Sequence, residues 1–384
     1  MIEGFRPRVL LVTRNMPPLW GGMEQLNWHM VEEFAKWASV CVVGPTGSRK
    51  DIPDGVDVVE VPLEPLPLFL LNALVQTIKL ARRWRPDIVV AGSGLTAPVA
   101  EFAARVSQAK SAAYVHGLDV AVDNMLYRKL WVPALRRLDN VVANSRATAQ
   151  LAKNAGISWA RISVVNPGVT IPNLQEDGDA LANLRMEKKW NGRPLLLSVG
   201  RLTNRKGLRE FVVEVLPRIV DCRPDVMLVV IGGAPTNSLH AESQTIESIK
   251  AAAANVGVAD HLEFLGVITD RARLASIYRT ANVHVFPVRD IPNDPEGFGM
   301  VALEAAAYGL PTVAYATGGV VDAVAEGISG HLVPCGNGAA FAEAVLTLLN
   351  EPLPSERMVG FAKKFDWNYF GNKITTALLE MPES

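Results

Sequence analysis

Short apolar runs that stop on glycine or a small polar residue recur from one end of this chain to the other, with helix-forming segments between them. Arg8–Thr13 opens on a loop closed by Gly21-Gly22. Asp87–Ala91 ends on Gly92-Ser93-Gly94, Ser111–His116 on Gly117, and Asn140–Asn144 on Ser145. A strand buried on both faces reads as a near-continuous apolar run, whereas a half-exposed strand alternates. Runs of the first kind, alternating with helices, predict doubly wound parallel sheets whose ligands gather at the carboxyl ends of strands. After Arg161–Val165 the pattern pauses: Thr170 to Arg193 is polar, with one helix predicted near Ala180–Lys188. It restarts with Leu195–Val199, Val226–Ile231, Glu263–Gly266, Val283–Pro287, Thr312–Ala316 and His331–Pro334. The 384 residues suit two domains. The division predicted is residues 1–170 and 171–365, with a C-terminal helix over 366–384 packing back on the first domain. The fold class is therefore α/β, two Rossmann-like domains facing a central cleft.

Composition removes several classes of function. Apolar residues make up 49% of the chain and charged ones 20%, enough for two packed cores and far from a disordered composition. A net charge of −1 gives no reason to expect nucleic acid. Cys41, Cys222 and Cys335 are few and widely spaced, which suits reduced thiols in a cytoplasmic protein and neither a disulfide framework nor a metal cluster. Residues 1–8 lead into a strand without the apolar core of a signal peptide. The apolar run Leu66–Val75 falls short of the ~20 residues that span a bilayer.

The densest candidate site is Pro295 to Pro311. Helix formers run from Met300 to Tyr308, Gly309 can cap the end and Pro311 forbids continuation. Glu304 then lies inside a short helix and Glu296 in the loop before it. Eight positions at 100° each leave the two side chains ~80° apart even if both were helical, so they are not a paired acid and base on one face. They suit two parts of one ligand whose anionic centre sits on the amides of Gly297, Phe298, Gly299 and Met300, at a helix N-terminus. The plain alternative is an ordinary glutamate at the start of a buried helix. Arg201 and Lys206 follow Gly200 in the loop after Leu195–Val199, and with those amides they would surround a diphosphate. Glu304, which as a carboxylate only accepts hydrogen bonds, suits the hydroxyls of a ribose. Glu296 would orient hydroxyls of whatever the diphosphate carries. The Gly21-Gly22 turn has two readings of equal weight: a phosphate-binding turn, and a tight turn needing positive φ.

Gly21-Gly22, His116-Gly117, Asn166-Pro167-Gly168-Val169, Gly200-Arg201 with Lys206-Gly207, and Glu296 to Glu304 stand in the order found in retaining glycosyltransferases of the GT-B fold, family four, and the chain resembles that family over nearly its whole length. The resemblance implies a nucleoside-diphosphate sugar as donor, a UDP- or GDP-sugar, with no other cofactor and no metal. It implies that Arg201 and Lys206 hold the diphosphate, Glu304 the ribose, and Glu296 with the amides of 297–300 the sugar. Val267 or Ile268 would approach the base, Gly22 the donor phosphate and His116 the sugar C6 region. Gly21 and Asp119 would lie on the acceptor side. The reaction implied is transfer with retention of configuration, the leaving diphosphate taking the acceptor's proton and no side chain acting as nucleophile.

The resemblance also implies an acceptor that is a glycan or a lipid-linked molecule, with a role in polysaccharide or glycolipid assembly. Tyr127–Arg137 and Lys79–Arg85 mix basic and apolar residues in the manner of helices that lie on an anionic membrane. A core-packing helix with a solvated basic face has equal weight. Met16 and Trp20 are assigned to packing of the first loop. The competing functions are a nucleotide-sugar 2-epimerase and a non-catalytic sugar-nucleotide binding protein. A dinucleotide oxidoreductase is disfavoured because Val9–Gly22 lacks the G-x-G-x-x-G fingerprint.

Overall fold

The computed structural model describes residues 6–19, 21–173, 178–234 and 244–381, and the chain divides into two compact units. Unit 1 comprises Met1–Gly168 with Trp367–Ser384, and unit 2 comprises Val169–Asp366.

Unit 1 runs β1 (Arg8–Val12), α1 (Gly22–Ala35), β2 (Ser39–Pro45), β3 (Asp57–Val61), α2 (Leu66–Trp84), β4 (Ile88–Ala91), α3 (Ala97–Ser107), β5 (Lys110–Val115), α4 (Leu118–Ala121), α5 (Met125–Arg137), β6 (Asn140–Ala143), α6 (Arg146–Asn154) and β7 (Ile162–Val164). Its strands form one parallel sheet in the order β3-β2-β1-β4-β5-β6-β7. Unit 2 runs α7 (Gly178–Glu187), β8 (Leu195–Val199), α8 (Leu208–Glu214), α9 (Leu216–Cys222), β9 (Met227–Ile231), α10 (Ile246–Asn255), β10 (Leu262–Gly266), α11 (Arg271–Thr280), β11 (Val283–Phe286), α12 (Met300–Ala307), β12 (Thr312–Tyr315), α13 (Val320–Ala323), β13 (Gly330–Val333), α14 (Gly338–Asn350) and α15 (Ser355–Ala362). Its sheet is again parallel, in the order β10-β9-β8-β11-β12-β13. The two parallel α/β sheets expected from the apolar runs are the ones found. The last helix, α16 (Trp367–Leu379), belongs to unit 1, where Phe370, Ile374 and Leu378 are buried in the core that also holds Met30 and Phe34 of α1.

Two local expectations are corrected. The helix after Gly207 does not run unbroken to Val220: it stops at Glu214 and restarts at Leu216. Pro217 lacks the N–H that would continue the ladder, and its ring excludes the preceding turn. Gly21 does not make a positive-φ turn; it is extended (φ 162°, ψ 176°) and stands just before α1.

The strand order places the functional loops. In each unit the order reverses beside the first strand, between β1 and β4 and between β8 and β11. Chains leave those neighbouring strands toward opposite faces of the sheet, which opens a crevice at their carboxyl ends. In unit 2 the loops from that point are Gly200–Gly207 and Pro287–Gly299.

Candidate functional site

In unit 2, Lys206 closes a single tight turn, Asn204–Lys206, in the loop after β8, and Gly207 caps the start of α8. Its ammonium lies 2.8 Å from Glu296 Oε2, and the Arg205 Nε lies 3.5 Å from the same oxygen. All three side chains are largely enclosed, with 16% of Lys206, 15% of Arg205 and 11% of Glu296 exposed. The Lys206 ammonium also sits 4.6 Å from the centre of the Phe286 ring at the end of β11, a cation–π contact. Burial works against charge on Glu296, but Lys206 and Arg205 outweigh it and hold the carboxyl at about 2. Burial lowers the pKa of Lys206, with Arg205 and Arg201 acting in the same direction and Glu296 opposing them. The sequence placed Lys206 and Glu296 on two parts of a ligand; here they are ion-paired with each other.

Arg205 escaped the sequence reading. Besides Glu296, its guanidinium meets Asp294 at 3.3 Å and donates to the Pro295 carbonyl at 2.9 Å. It thereby ties the loop after β8 to the loop that carries Glu296. Nothing in Gly-Arg-Leu-Thr-Asn-Arg-Lys-Gly distinguishes it from a solvated cation, because its partners lie some ninety positions away. Arg201, four residues earlier, is exposed.

Past Glu296 the backbone turns through Gly297-Phe298-Gly299 into α12. Gly299 adopts φ 95°, and a Cβ there would stand 2.8 Å from the Phe286 ring. Gly318-Gly319 folds back on this turn: the Gly319 amide donates to the Glu296 carbonyl, and a Cβ on Gly319 would lie 1.9 Å from the Gly297 carbonyl oxygen. Among the described residues the amides of Gly297, Phe298, Gly299 and Met300 have no hydrogen-bond partner. Those of Gly299 and Met300 are among the unpaired donors expected at a helix start, and those of Gly297 and Phe298 lie in the turn before it. The Phe298 side chain is buried in the core, so its amide is what remains for a ligand.

Glu304 lies in α12 and accepts a hydrogen bond from the Tyr278 hydroxyl on α11, at 3.2 Å. Tyr278 stacks on Tyr308, with ring centres 5.1 Å apart. Burial raises the pKa of Glu304, against the Tyr278 hydrogen bond and Lys206, which lower it. Beneath the cluster His284 is fully buried on β11. Its Nδ1 pairs with Thr312 Oγ1 at 3.0 Å, its Nε2 has no partner among the described residues, and burial with Lys206 nearby lowers its pKa to about 3. Val267 is 71% exposed just past β10, beside Gly233, while Ile268 is half-buried.

In unit 1, Gly22 is the first residue of α1. Asp119 Oδ2 accepts the backbone N–H of His116 at 2.7 Å, which fixes the turn from β5 into α4. The His116 ring Nε2 lies 3.2 Å from the Gly92 carbonyl. A carbonyl only accepts, so Nε2 carries the hydrogen and Nδ1 of the neutral ring is left as an acceptor. Met16 is fully buried in the core, and Trp20 lies outside the described residues. Among the described residues no group of three or more His, Cys, Asp or Glu side chains is placed to hold a metal ion.

The arrangement of two parallel α/β units is shared with solved structures. HepE of Anabaena, in complex with UDP and glucose, matches with a TM-score of 0.80 at 19% identity, over 97% of this chain and 100% of that one. Sucrose-phosphate synthase of Thermosynechococcus elongatus matches with a TM-score of 0.77 at 21% identity, over 97% and 98%. The fold is that of the GT-B glycosyltransferases. The family model for Glycosyltransferase Family 4 matches residues 20–171 and that for Glycosyl transferases group 1 matches residues 182–365, and the chain belongs to this family of glycosyltransferases. Among curated relatives, a GDP-mannose-dependent alpha-(1-6)-phosphatidylinositol monomannoside mannosyltransferase of Mycolicibacterium smegmatis is 29% identical over 359 residues, 90% of each chain. A D-inositol 3-phosphate glycosyltransferase of Catenulispora acidiphila is 33% identical over 238 residues, 60% of this chain and 53% of that one.

Proposed function

We propose that this glycosyltransferase moves a sugar from a nucleoside diphosphate to a lipid-linked or glycan acceptor, with retention of anomeric configuration. The observation that carries the reading is the Lys206–Glu296–Arg205 cluster beside the unpartnered amides of 297–300. Cations and free N–H groups suit a diphosphate, and the buried carboxylate suits sugar hydroxyls.

Arg201 and Lys206 hold the diphosphate in this reading, and Lys206 leaves Glu296 for the anion as the donor binds. Glu296, freed of its partner, accepts from the sugar hydroxyls. Glu304 keeps one oxygen on Tyr278 and offers the other to the ribose. Val267 and Ile268 border the base, Gly22 the phosphate and His116 the sugar C6 region; Gly21 and Asp119 belong to the acceptor side. As the glycosidic bond breaks, negative charge grows on the leaving diphosphate, and fixed cations and amides stabilise that charge more than they stabilise the bound donor. The acceptor hydroxyl attacks from the same face and gives its proton to the leaving phosphate oxygen, so no side chain need act as nucleophile. These cations do the work that a metal ion does elsewhere.

The relative that covers 90% of the chain is named for GDP-mannose and a phosphatidylinositol mannoside, which favours GDP-mannose as donor and a glycolipid acceptor. Thermal denaturation with GDP-mannose, UDP-glucose, ADP-glucose and TDP-glucose tests the donor. A ligand at a hundred times its Kd stabilises by about 2.7 kcal/mol. The expected result is a rise in Tm with one of them, GDP-mannose first; no shift with any of the four would overturn the reading.

A further inference from the structure

The turn Asn204–Lys206 carries two adjacent cations, and both act on one carboxylate oxygen. Lys206 lies 2.8 Å from Glu296 Oε2, and Arg205 Nε lies 3.5 Å from it. Successive side chains of a 3₁₀ turn leave it about 120° apart, so two neighbours reach one atom only if the opposing loop folds around them. The contacts of Arg205 show that folding. Its Nη1 donates to the Pro295 carbonyl at 2.9 Å and meets Asp294 at 3.3 Å, and its own carbonyl accepts the Arg289 N–H at 2.8 Å. The guanidinium is therefore fastened to the loop that carries Glu296. The Lys206 ammonium is held by Glu296 itself and by the face of the Phe286 ring.

One N–H of this arrangement is left over. Arg205 Nε is buried and has no hydrogen-bond partner among the described residues. Its 3.5 Å separation from Glu296 Oε2 is about 0.5 Å longer than a usual N–H···O bond. A buried donor without a partner is costly, and this one stands beside the oxygen that Lys206 already holds.

Donor binding gives that spare N–H a use. In the reading above, the diphosphate draws Lys206 away while Glu296 turns to the sugar hydroxyls. A buried carboxylate stripped of its cation is strongly disfavoured, and the diphosphate adds negative charge beside it. Burial by itself lifts a carboxyl by up to ~3–5 pH units, so the group would take up a proton and lose part of its accepting capacity. Among the described residues the cations that act on Glu296 are Lys206, Arg205 and Arg201. Arg201 is exposed and, in that reading, lies on the diphosphate. Arg289 is turned to Asn204 and Glu210. Of the other titratable groups around the cluster, Asp294 faces Arg205, Glu304 faces Tyr278, and burial keeps His284 neutral beneath them. Gly318 and Gly319, which fold onto the Glu296 backbone, bring no charge. Arg205 is the cation that remains.

We propose that Arg205 is a positioning residue for the transfer: it takes over Glu296 when the diphosphate draws Lys206 away, its Nε–H closing on the freed oxygen, and so holds that side chain as a carboxylate while it accepts from the sugar. The inference rests on the donor reading of Lys206 and Glu296. Arginine suits the task on two counts. A guanidinium keeps its proton where a buried ammonium gives one up more readily. Its fork also lets Nη1 stay on Pro295 and Asp294 while Nε acts on Glu296.

The test is titration calorimetry of the full chain with GDP-mannose at about pH 6, in buffers of different ionisation heat, which counts the protons taken up on binding. Arg205→Gln is expected to bind about ten-fold or more weakly, the loss of one hydrogen bond to a charged group. It should also take up close to one proton more per donor than the unsubstituted chain. Arg205→Lys keeps a cation but loses the fork, and should show little extra uptake. If Arg205 only ties the two loops together, both variants weaken and neither takes up an extra proton, which would overturn the proposal. Glu296→Gln removes the titrating group, so adding Arg205→Gln to it should bring no further uptake; uptake that persists there assigns the proton elsewhere and refutes the handover. The carbon NMR signal of the Glu296 carboxyl in the unsubstituted chain gives a check that needs no variant. It should remain that of a carboxylate at about pH 6 when GDP-mannose is bound, and protonation on binding would equally refute the handover. No binding of GDP-mannose by the unsubstituted chain would strike the donor reading and this inference with it, whereas binding without the proton signature strikes the inference alone.

Discussion

Replacing Lys206 with methionine removes the charge at the centre of the unit 2 cluster and keeps most of the side-chain volume. Glu296 then retains Arg205 at 3.5 Å as its nearby cation. The ion pairs hold the pKa of the Glu296 carboxyl at about 2, against its ordinary 4.5. At about 1.4 kcal/mol per pH unit, this corresponds to roughly 3 kcal/mol of stability. Its sign follows from linkage: the contribution is present above pH 4.5 and is lost as pH falls toward 2. The partner does not show the same gain, because burial lowers the pKa of Lys206 and so costs stability while it stays charged. The pair is therefore worth less than the carboxylate alone suggests, and a loss of about 1–2 kcal/mol is expected for Lys206→Met at neutral pH, between a surface pair and a broken buried one. Catalysis should suffer more. Loss of one fixed donor to a developing oxyanion costs about 10²–10³ in kcat. Turnover by product release, donor affinity by calorimetry and Tm between pH 7 and about 2 measure the three consequences. A kcat within a few-fold of the unsubstituted enzyme, in a folded variant, would refute the diphosphate role of Lys206.

Tyr278→Phe removes the hydroxyl that orients Glu304; donor Kd should rise by about ten-fold or more, from the ~1.5 kcal/mol or more of one hydrogen bond to a charged group. An unchanged Kd by titration calorimetry would show that Glu304 does not hold the donor. Burial lowers the pKa of His284 from its ordinary 6.5 to about 3, so the unfolded chain binds a proton more readily there. Stability should then fall as pH drops from 6.5 toward 3, and His284→Leu should flatten the dependence of Tm on pH over that window. A slope unaltered by that substitution would place the acid sensitivity elsewhere.

Much of this was legible in the chain. Buried parallel strands announce themselves as apolar runs, so β1, β4, β5, β8, β9 and β11 could be placed within a residue or two. Glu304 in a short helix and Glu296 in the loop before it also followed, because Gly299, Gly309 and Pro311 punctuate that helix. The two-part helix after Gly207 was missed although Pro217 marks the break, and the Gly21-Gly22 turn was given a positive φ as one of two readings where the backbone is extended. These are local errors.

What the sequence determined by itself is what short-range physics determines: which segments are strands, which are helices, where each helix begins, and the order of polar residues at the strand ends. Tertiary structure alone decided which of those residues meet. The switch point between β8 and β11 sets two loops side by side, and only then does Lys206 find Glu296 and Arg205 clamp Asp294 and Pro295. Tyr278 reaches Glu304 because α11 and α12 flank neighbouring strands. A side chain's charge is written at its own position, but its neighbours at ninety positions' remove depend on strand order, which no local pattern encodes.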